Sequence, residues 1–110
     1  MPQPPNMNKM LKQVQEMQAE MVKAQEEAQK QVVEASAGGG MVNVKVNGAL
    51  EVLEVTIDPE AVDPGDVEML QDMVQAATNE ALRSAQEMVS ARMNQVASLD
   101  ALGGLGLPGL

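Results

Sequence analysis

The middle of the chain alternates between apolar and polar residues, and this pattern restricts the fold more than any other. Residues 42–46 and 52–57 each alternate in this way, which is typical of half-buried β-strands. The dipeptide Asn47-Gly48 lies between them and favours a tight hairpin turn, because both residues tolerate positive φ. The residues predicted to share the apolar faces are Val42, Val44, Val46, Leu53, Val55 and Ile57. The pattern predicts two antiparallel strands joined by a hairpin.

A third strand is predicted before the glycine run Gly38–Gly40. Val32–Ser36 is short and rich in β-branched residues, which favours a strand. The segment Gln31–Ala35 is equally compatible with an extension of the preceding helix, so the sequence leaves both alternatives open. Asp58-Pro59 ends the predicted sheet, because proline cannot continue the hydrogen-bond ladder.

Two long helices are predicted on either side of the strands. The first covers Met7–Lys30, where apolar residues recur every three or four positions in a heptad-like seam. The second is predicted to begin with Asp63 as N-cap and Pro64 at its first position, and to end near Val96. The seam of the first helix consists of Met10, Val14, Met17, Met21, Ala24 and Ala28. The predicted fold is therefore α+β, in the order α-β-β-β-α with a three-stranded antiparallel sheet.

The 110 residues are predicted to form one domain, 7–98, flanked by two terminal segments. Residues 1–6 include three prolines and are expected to be a flexible arm, and the Gly/Leu-rich residues 99–110 a disordered tail. The chain has ten Met but no Phe, Tyr or Trp, so its core is built without large aromatic side chains. A core this thin favours association, and we expect a homodimer.

Several classes of function are excluded by residues that the chain lacks. Without Cys or His there is no disulfide, zinc finger, thiol nucleophile or imidazole base. The acidic residues do not follow calcium-loop spacing. We therefore expect neither an enzyme nor a metal site, a cofactor or a small-molecule substrate. A membrane span and a secretory signal are also absent from the pattern, so a cytoplasmic protein is expected.

The net charge of −9 is unevenly distributed. Residues 51–72 contain eight Asp or Glu and no Lys or Arg, whereas residues 1–50 contain five Lys and five Glu. We interpret the acidic segment mainly as the solvated, capped start of the second helix. A basic surface elsewhere therefore remains compatible with the acidic total.

Three basic residues have few or no acidic residues at the helical spacing that allows ion pairs. Lys9 and Arg92 have no acid three or four residues away, and Lys12 has only Glu16. If the helices pack antiparallel, the start of the first and the end of the second meet at a projecting tip, where these cations suit phosphate oxygens. Lys23, Lys30 and Arg83 have acids at helical spacing, which favours a solvated, salt-bridged surface for these three residues. If the chain binds DNA, this arrangement favours weakly specific contact with the backbone of a duplex.

Four segments, in order, resemble the YbaB/EbfC family of nucleoid-associated proteins. They are Met10–Gln18, Gly39–Gly48, Ile57–Pro59 and Leu70–Leu82. The resemblance implies a cytoplasmic, nucleoid-associated homodimer with tweezer-like helical arms that binds double-stranded DNA and alters its conformation. It further implies a role in nucleoid organisation and gene regulation. DNA contact is implied for the arms, and thus for Lys9, Lys12 and Arg92, with Lys23 and Arg83 as weaker candidates.

The alternative is a Met-rich protein-interaction module that does not bind DNA itself. Met7, Met10, Met17 and Met21 line the first helix, and methionine adapts to irregular partner surfaces. The simpler interpretation of the same stripe is a core or dimer seam.

Overall fold

The computed structural model describes the backbone of residues 5–104 and the side chains of 7–98. Its elements follow the predicted order: helix α1 (Pro5–Lys30), strands β1 (Val32–Ala37), β2 (Val42–Asn47) and β3 (Val52–Ile57), and helix α2 (Val67–Gly104). The strands form one antiparallel sheet in the order β1-β2-β3. The fold is therefore α+β as predicted, and Val32–Ala37 is a strand rather than an extension of the helix.

The helices are longer than predicted. α1 begins at Pro5 instead of Met7, and α2 continues to Gly104 instead of ending near Val96. The backbone of residues 99–104, which the sequence assigned to a disordered tail, is thus helical. The rest of the predicted arm and tail, residues 1–4 and 105–110, lies outside the described residues.

The start of α2 is capped by a different residue from the one predicted. Asp66 is the N-cap, because its Oδ1 accepts a hydrogen bond from the Met69 N–H at 3.2 Å. Asp63 instead closes the preceding turn, where its Oδ1 accepts from the Gly65 N–H at 2.9 Å. Proline at position 64 therefore belongs to that turn rather than to the first helical position.

The core lies between α2 and the inner face of the sheet. The valines of β2, the central strand, are fully buried, and so are three alanines of α2 that face them. Small residues on α2 let the helix backbone approach the sheet closely, so that valine is bulky enough to fill the space. The buried residues are Val42, Val44, Val46, Ala77, Ala81 and Ala85.

Strand β3 forms an edge of the sheet that α2 does not cover. Val55 and Ile57 pair with Val44 and Val42 and share their face, yet they remain 44% and 36% exposed. A β-bulge shifts the register after Lys45, so that Val52 rather than Leu53 lies opposite Val46. Leu53 therefore lies in the bulge, without a cross-strand partner on β2.

The hairpin between β2 and β3 has a longer loop than predicted. Asn47 Oδ1 accepts hydrogen bonds from the N–H groups of Ala49 and Glu51, both at 3.0 Å, within the four-residue loop 48–51. Positive φ occurs at Leu50, with a φ of 62°, and not at Asn47 or Gly48. The glycine instead permits a close approach of the loop to α1, since an added Cβ would overlap the carbonyl oxygen of Ala28. Its N–H donates to the O atom of Gln31, just after the helix, at 3.1 Å.

Candidate nucleic-acid interface

The apolar seam of α1, defined by the six residues from Met10 to Ala28 named above, is covered over only part of its length. Ala24 and Ala28 are buried where α1 packs against α2. Towards the N-terminus the seam is open to solvent, and Met10 is 63% exposed. The first half of α1 therefore projects from the folded body as an arm.

The other side of α1 carries Lys9, Lys12 and Lys23, which we call the lysine face. Lys12 and Lys23 are eleven residues apart, so at 3.6 residues per turn they point within about 20° of each other. Lys9 projects about 60° from Lys12 around the helix axis and about 40° from Lys23. The apolar seam occupies roughly the opposite side of the helix. No salt bridge joins these three lysines to another residue within 7–98. The predicted salt-bridged surface is therefore not formed around Lys23.

Arg92 is paired, contrary to the sequence-based prediction. Its Nη2 donates to Glu27 Oε2 at 2.7 Å and its Nη1 to Gln31 Oε1 at 3.3 Å. The guanidinium thus joins α2 to the C-terminal end of α1. Spacing along one helix could not predict this contact, because the partners of Arg92 are 61 and 65 residues away in the sequence.

Arg92 also does not lie at a tip with Lys9 and Lys12. Lys12 and Lys9 precede Glu27 by 15 and 18 residues, which places them about 22 and 27 Å further along α1. The prediction that one tip gathers all three cations is therefore wrong. A sequence signal was present: Arg92 follows Ala81 by eleven residues, and this spacing puts it on the buried face of α2.

Arg83 lies on the exposed side of α2 and is paired as its spacing predicted. Its Nη1 donates to Glu80 Oε2 at 2.9 Å, three residues earlier. The cation of the sheet, Lys45, is also paired, with its Nζ 3.4 Å from Glu54 Oε2 on the neighbouring strand. Among the predicted site residues, the structure therefore leaves Lys9, Lys12 and Lys23 without a salt bridge inside the described chain.

The acidic segment 51–72 lies at the sheet end of the molecule, which measures 80 by 28 by 15 Å. Several of its carboxylates hold turns and helix starts. Asp58 Oδ1, for example, accepts from the Glu60 N–H at 2.9 Å and caps a short 3₁₀ turn, Pro59–Ala61. The local role predicted for this segment is therefore present, and its charge is separated from the first turns of α1.

Six of the seven Lys and Arg residues lie on the two helices. Together with the sheet topology, this defines a small α+β protein with a projecting helical arm. The chain belongs to the YbaB/EbfC DNA-binding family, whose model matches residues 3–99. It is 56% identical over 106 residues to a nucleoid-associated protein of Alkaliphilus metalliredigens, covering 96% of this chain and 89% of that protein. A nucleoid-associated protein of Pelotomaculum thermopropionicum is 52% identical over 105 residues, covering 96% and 95%.

A solved structure supports the same fold. The crystal structure of an uncharacterized protein from Helicobacter pylori superposes with a TM-score of 0.59 at 26% sequence identity. The match covers 78% of this chain and 96% of that chain.

Two further findings concern the part of the chain that the structure describes. None of its helices is long and apolar enough to cross a membrane. Its acidic side chains do not gather into a group of three that could hold a metal ion.

Proposed function

We propose that this protein is a nucleoid-associated protein that binds the phosphate backbone of duplex DNA through α1 and alters the conformation of the DNA. The observation that carries the proposal is the lysine face, whose three ammonium groups have no salt bridge within residues 7–98. Lysine is a compact, mobile point charge that suits phosphate oxygens. Family membership supports the same partner. Localisation to the nucleoid, and a role in nucleoid organisation and gene regulation, follow from the proposal.

Arg83 belongs to the proposal with a smaller expected contribution. Its guanidinium must release Glu80 before it can bind a phosphate, so part of the interaction gained with DNA is offset by the ion pair that is lost. Arg92 contributes through its ion pair with Glu27 at the base of the arm rather than by a phosphate contact. The absence of aromatic residues also argues against base stacking and hence against single-stranded substrates.

We further propose that the active form is a homodimer. The uncovered inner face of β3 and the open part of the apolar seam leave large apolar side chains in water, which favours their burial against a second chain. Light scattering should then give twice the protomer mass of 11.6 kDa. Val55→Asp should reduce that mass, whereas Thr56→Asp, a neighbour on the other face of β3, should leave it unchanged. A monomeric wild type would refute the dimer.

Anisotropy of a labelled 30-base-pair duplex, titrated across a salt series, tests DNA binding. The label is placed on the DNA because the protein has no Trp or Tyr. The logarithm of the binding constant should fall linearly with the logarithm of salt concentration, by about 0.9 per phosphate contacted. The double variant Lys9→Gln/Lys12→Gln should lower the slope by roughly 2 per binding protomer.

Lys45→Gln is the control for losing a lysine outside α1, since it removes one positive charge, against two in the double variant, from the sheet and from an existing pair with Glu54. An unchanged slope in the double variant would place the DNA elsewhere on the protein. No binding by the wild type at low salt would refute the proposal. The protein-interaction module would then be favoured, because the exposed methionines of α1 would be left as its most evident binding surface.

A further inference from the structure

Lys30, the last residue of α1, lies in line with the lysine face. It follows Lys23 by seven residues and Lys12 by eighteen, so the three side chains project within about 20° of one another. From Lys9 to Lys30 the axial distance is about 32 Å. This is close to one turn of B-DNA, about 34 Å. The cations of α1 therefore form a row along one side of the helix, which Glu16 shares, rather than a cluster at the free end.

The ion pair at the base of the arm engages one of the two carboxylates within helical reach of Lys30. In sequence, Glu26 and Glu27 lie four and three residues before Lys30, and three and four after Lys23. In the structure, Glu27 Oε2 accepts from Arg92 at 2.7 Å. No salt bridge joins Lys30 to another residue within 7–98. Arg92 thus holds away from the lysines a carboxylate that would otherwise neutralise part of their charge.

We infer that the DNA-binding surface runs along α1 from Lys9 to Lys30, that Lys30 is a phosphate-binding residue, and that Arg92 is a positioning residue which sequesters Glu27. The inference rests on the proposed function. It differs from binding at the tip, because it assigns phosphate contacts to the base of the arm, next to the sheet.

The first test is Lys30→Gln in the same salt series. Removing one phosphate contact should lower the slope of the binding plot by about 0.9 per protomer. Lys45→Gln again serves as the control with the same change in charge and should leave the slope unchanged. Far-ultraviolet circular dichroism verifies that each variant has the helix content of the wild type.

The second test separates positioning by Arg92 from direct contact with DNA. Arg92→Gln should lower the slope, because Glu27 is released towards the lysines. The double variant Glu27→Gln/Arg92→Gln has the net charge of the wild type and removes the released carboxylate, so its slope should return to the wild-type value. A slope that stays low in the double variant would instead make Arg92 a direct phosphate ligand and overturn its positioning role.

The salt series distinguishes failure of the proposed DNA binding from failure of the role inferred for Lys30. If the wild type does not bind duplex DNA, the proposed function itself is refuted. If the wild type binds and Lys9→Gln/Lys12→Gln lowers the slope while Lys30→Gln does not, only the inference is refuted, and binding is confined to the first turns of the arm. A lowered slope in both variants supports the whole lysine row.

Discussion

Gly48 holds the hairpin loop against the end of α1, and we predict that Gly48→Ala is strongly destabilising. A Cβ at this position would overlap the carbonyl oxygen of Ala28 and lie 2.7 Å from its carbonyl carbon and 3.0 Å from Gln29 Cα. All three are backbone atoms of the last helical turn, so a side-chain rotation cannot relieve the overlap. The loop must move away from the helix, which also weakens the Gly48 N–H to Gln31 O bond of 3.1 Å.

The expected cost is the sum of two effects. Forcing an extra methyl group into a packed site costs about 1–3 kcal/mol. A lost backbone hydrogen bond adds about 1 kcal/mol. Gly48→Ala should therefore lower the free energy of unfolding by about 2–4 kcal/mol. The φ of Gly48 is not in the left-handed region, so alanine carries no conformational penalty there and the loss is steric.

Gly39→Ala supplies the matched control. Gly39 has a φ of 68° and nothing within 4 Å of an added Cβ, so its substitution costs only the left-handed conformation, about 1–2 kcal/mol. Urea unfolding followed by circular dichroism at one protomer concentration measures both variants, since the stability of an associating protein depends on concentration. A Gly48→Ala protein as stable as the wild type, or more stable than Gly39→Ala, would refute the contact.

Three further substitutions can be followed in the same unfolding assay. Leu50→Gly should stabilise the protein by about 1 kcal/mol, because leucine at a φ of 62° is strained and glycine is not; a loss of stability would contradict this. Val44→Ala should cost about 2 kcal/mol by removing two buried methyl groups from the fully buried centre of the sheet, and a loss below 0.5 kcal/mol would contradict the assigned core. Arg92→Gln should cost no more than about 1 kcal/mol, because the pair with Glu27 is half exposed; a larger loss would show that the pair stabilises the arm more strongly than a surface ion pair does.

The fold was predictable from local patterns because its elements have clear hydrophobic periods. The alternation in residues 42–46 and the stripe of α1 each identified an element and its buried face. The features that local patterns did not predict depend on contacts between elements. The register of Leu53 follows from a bulge against β2, and Gly48 is required by the end of α1 rather than by a positive φ.

The candidate site was predictable in part, for the same reason. Spacing along one helix correctly identified lysines without acids at helical distance, as at Lys9. It could not reveal that Glu27 would be engaged from α2, so it assigned Arg92 to the binding surface and Lys30 to a salt bridge. Counting helical turns from the buried alanines of α2 would have placed Arg92 on the packing face, where a guanidinium has to find a carboxylate or amide partner.

The overall charge of −9 is a poor guide to what α1 can bind, because the charge is distributed along a long molecule. From Val67 to Arg92, and from there up α1 to Lys12, the axial distances add to about 60 Å. Screening at physiological salt acts over about 8 Å, so the carboxylates near the start of α2 have little effect on the first turns of the arm. Lys30 is nearer to the acidic segment, since Gly48, which lies against the last turn of α1, precedes Glu51 by only three residues. Repulsion of DNA by the sheet end therefore acts on the base of the arm more than on its free end, and it favours a duplex that approaches α1 from the side of Lys9 and Lys12.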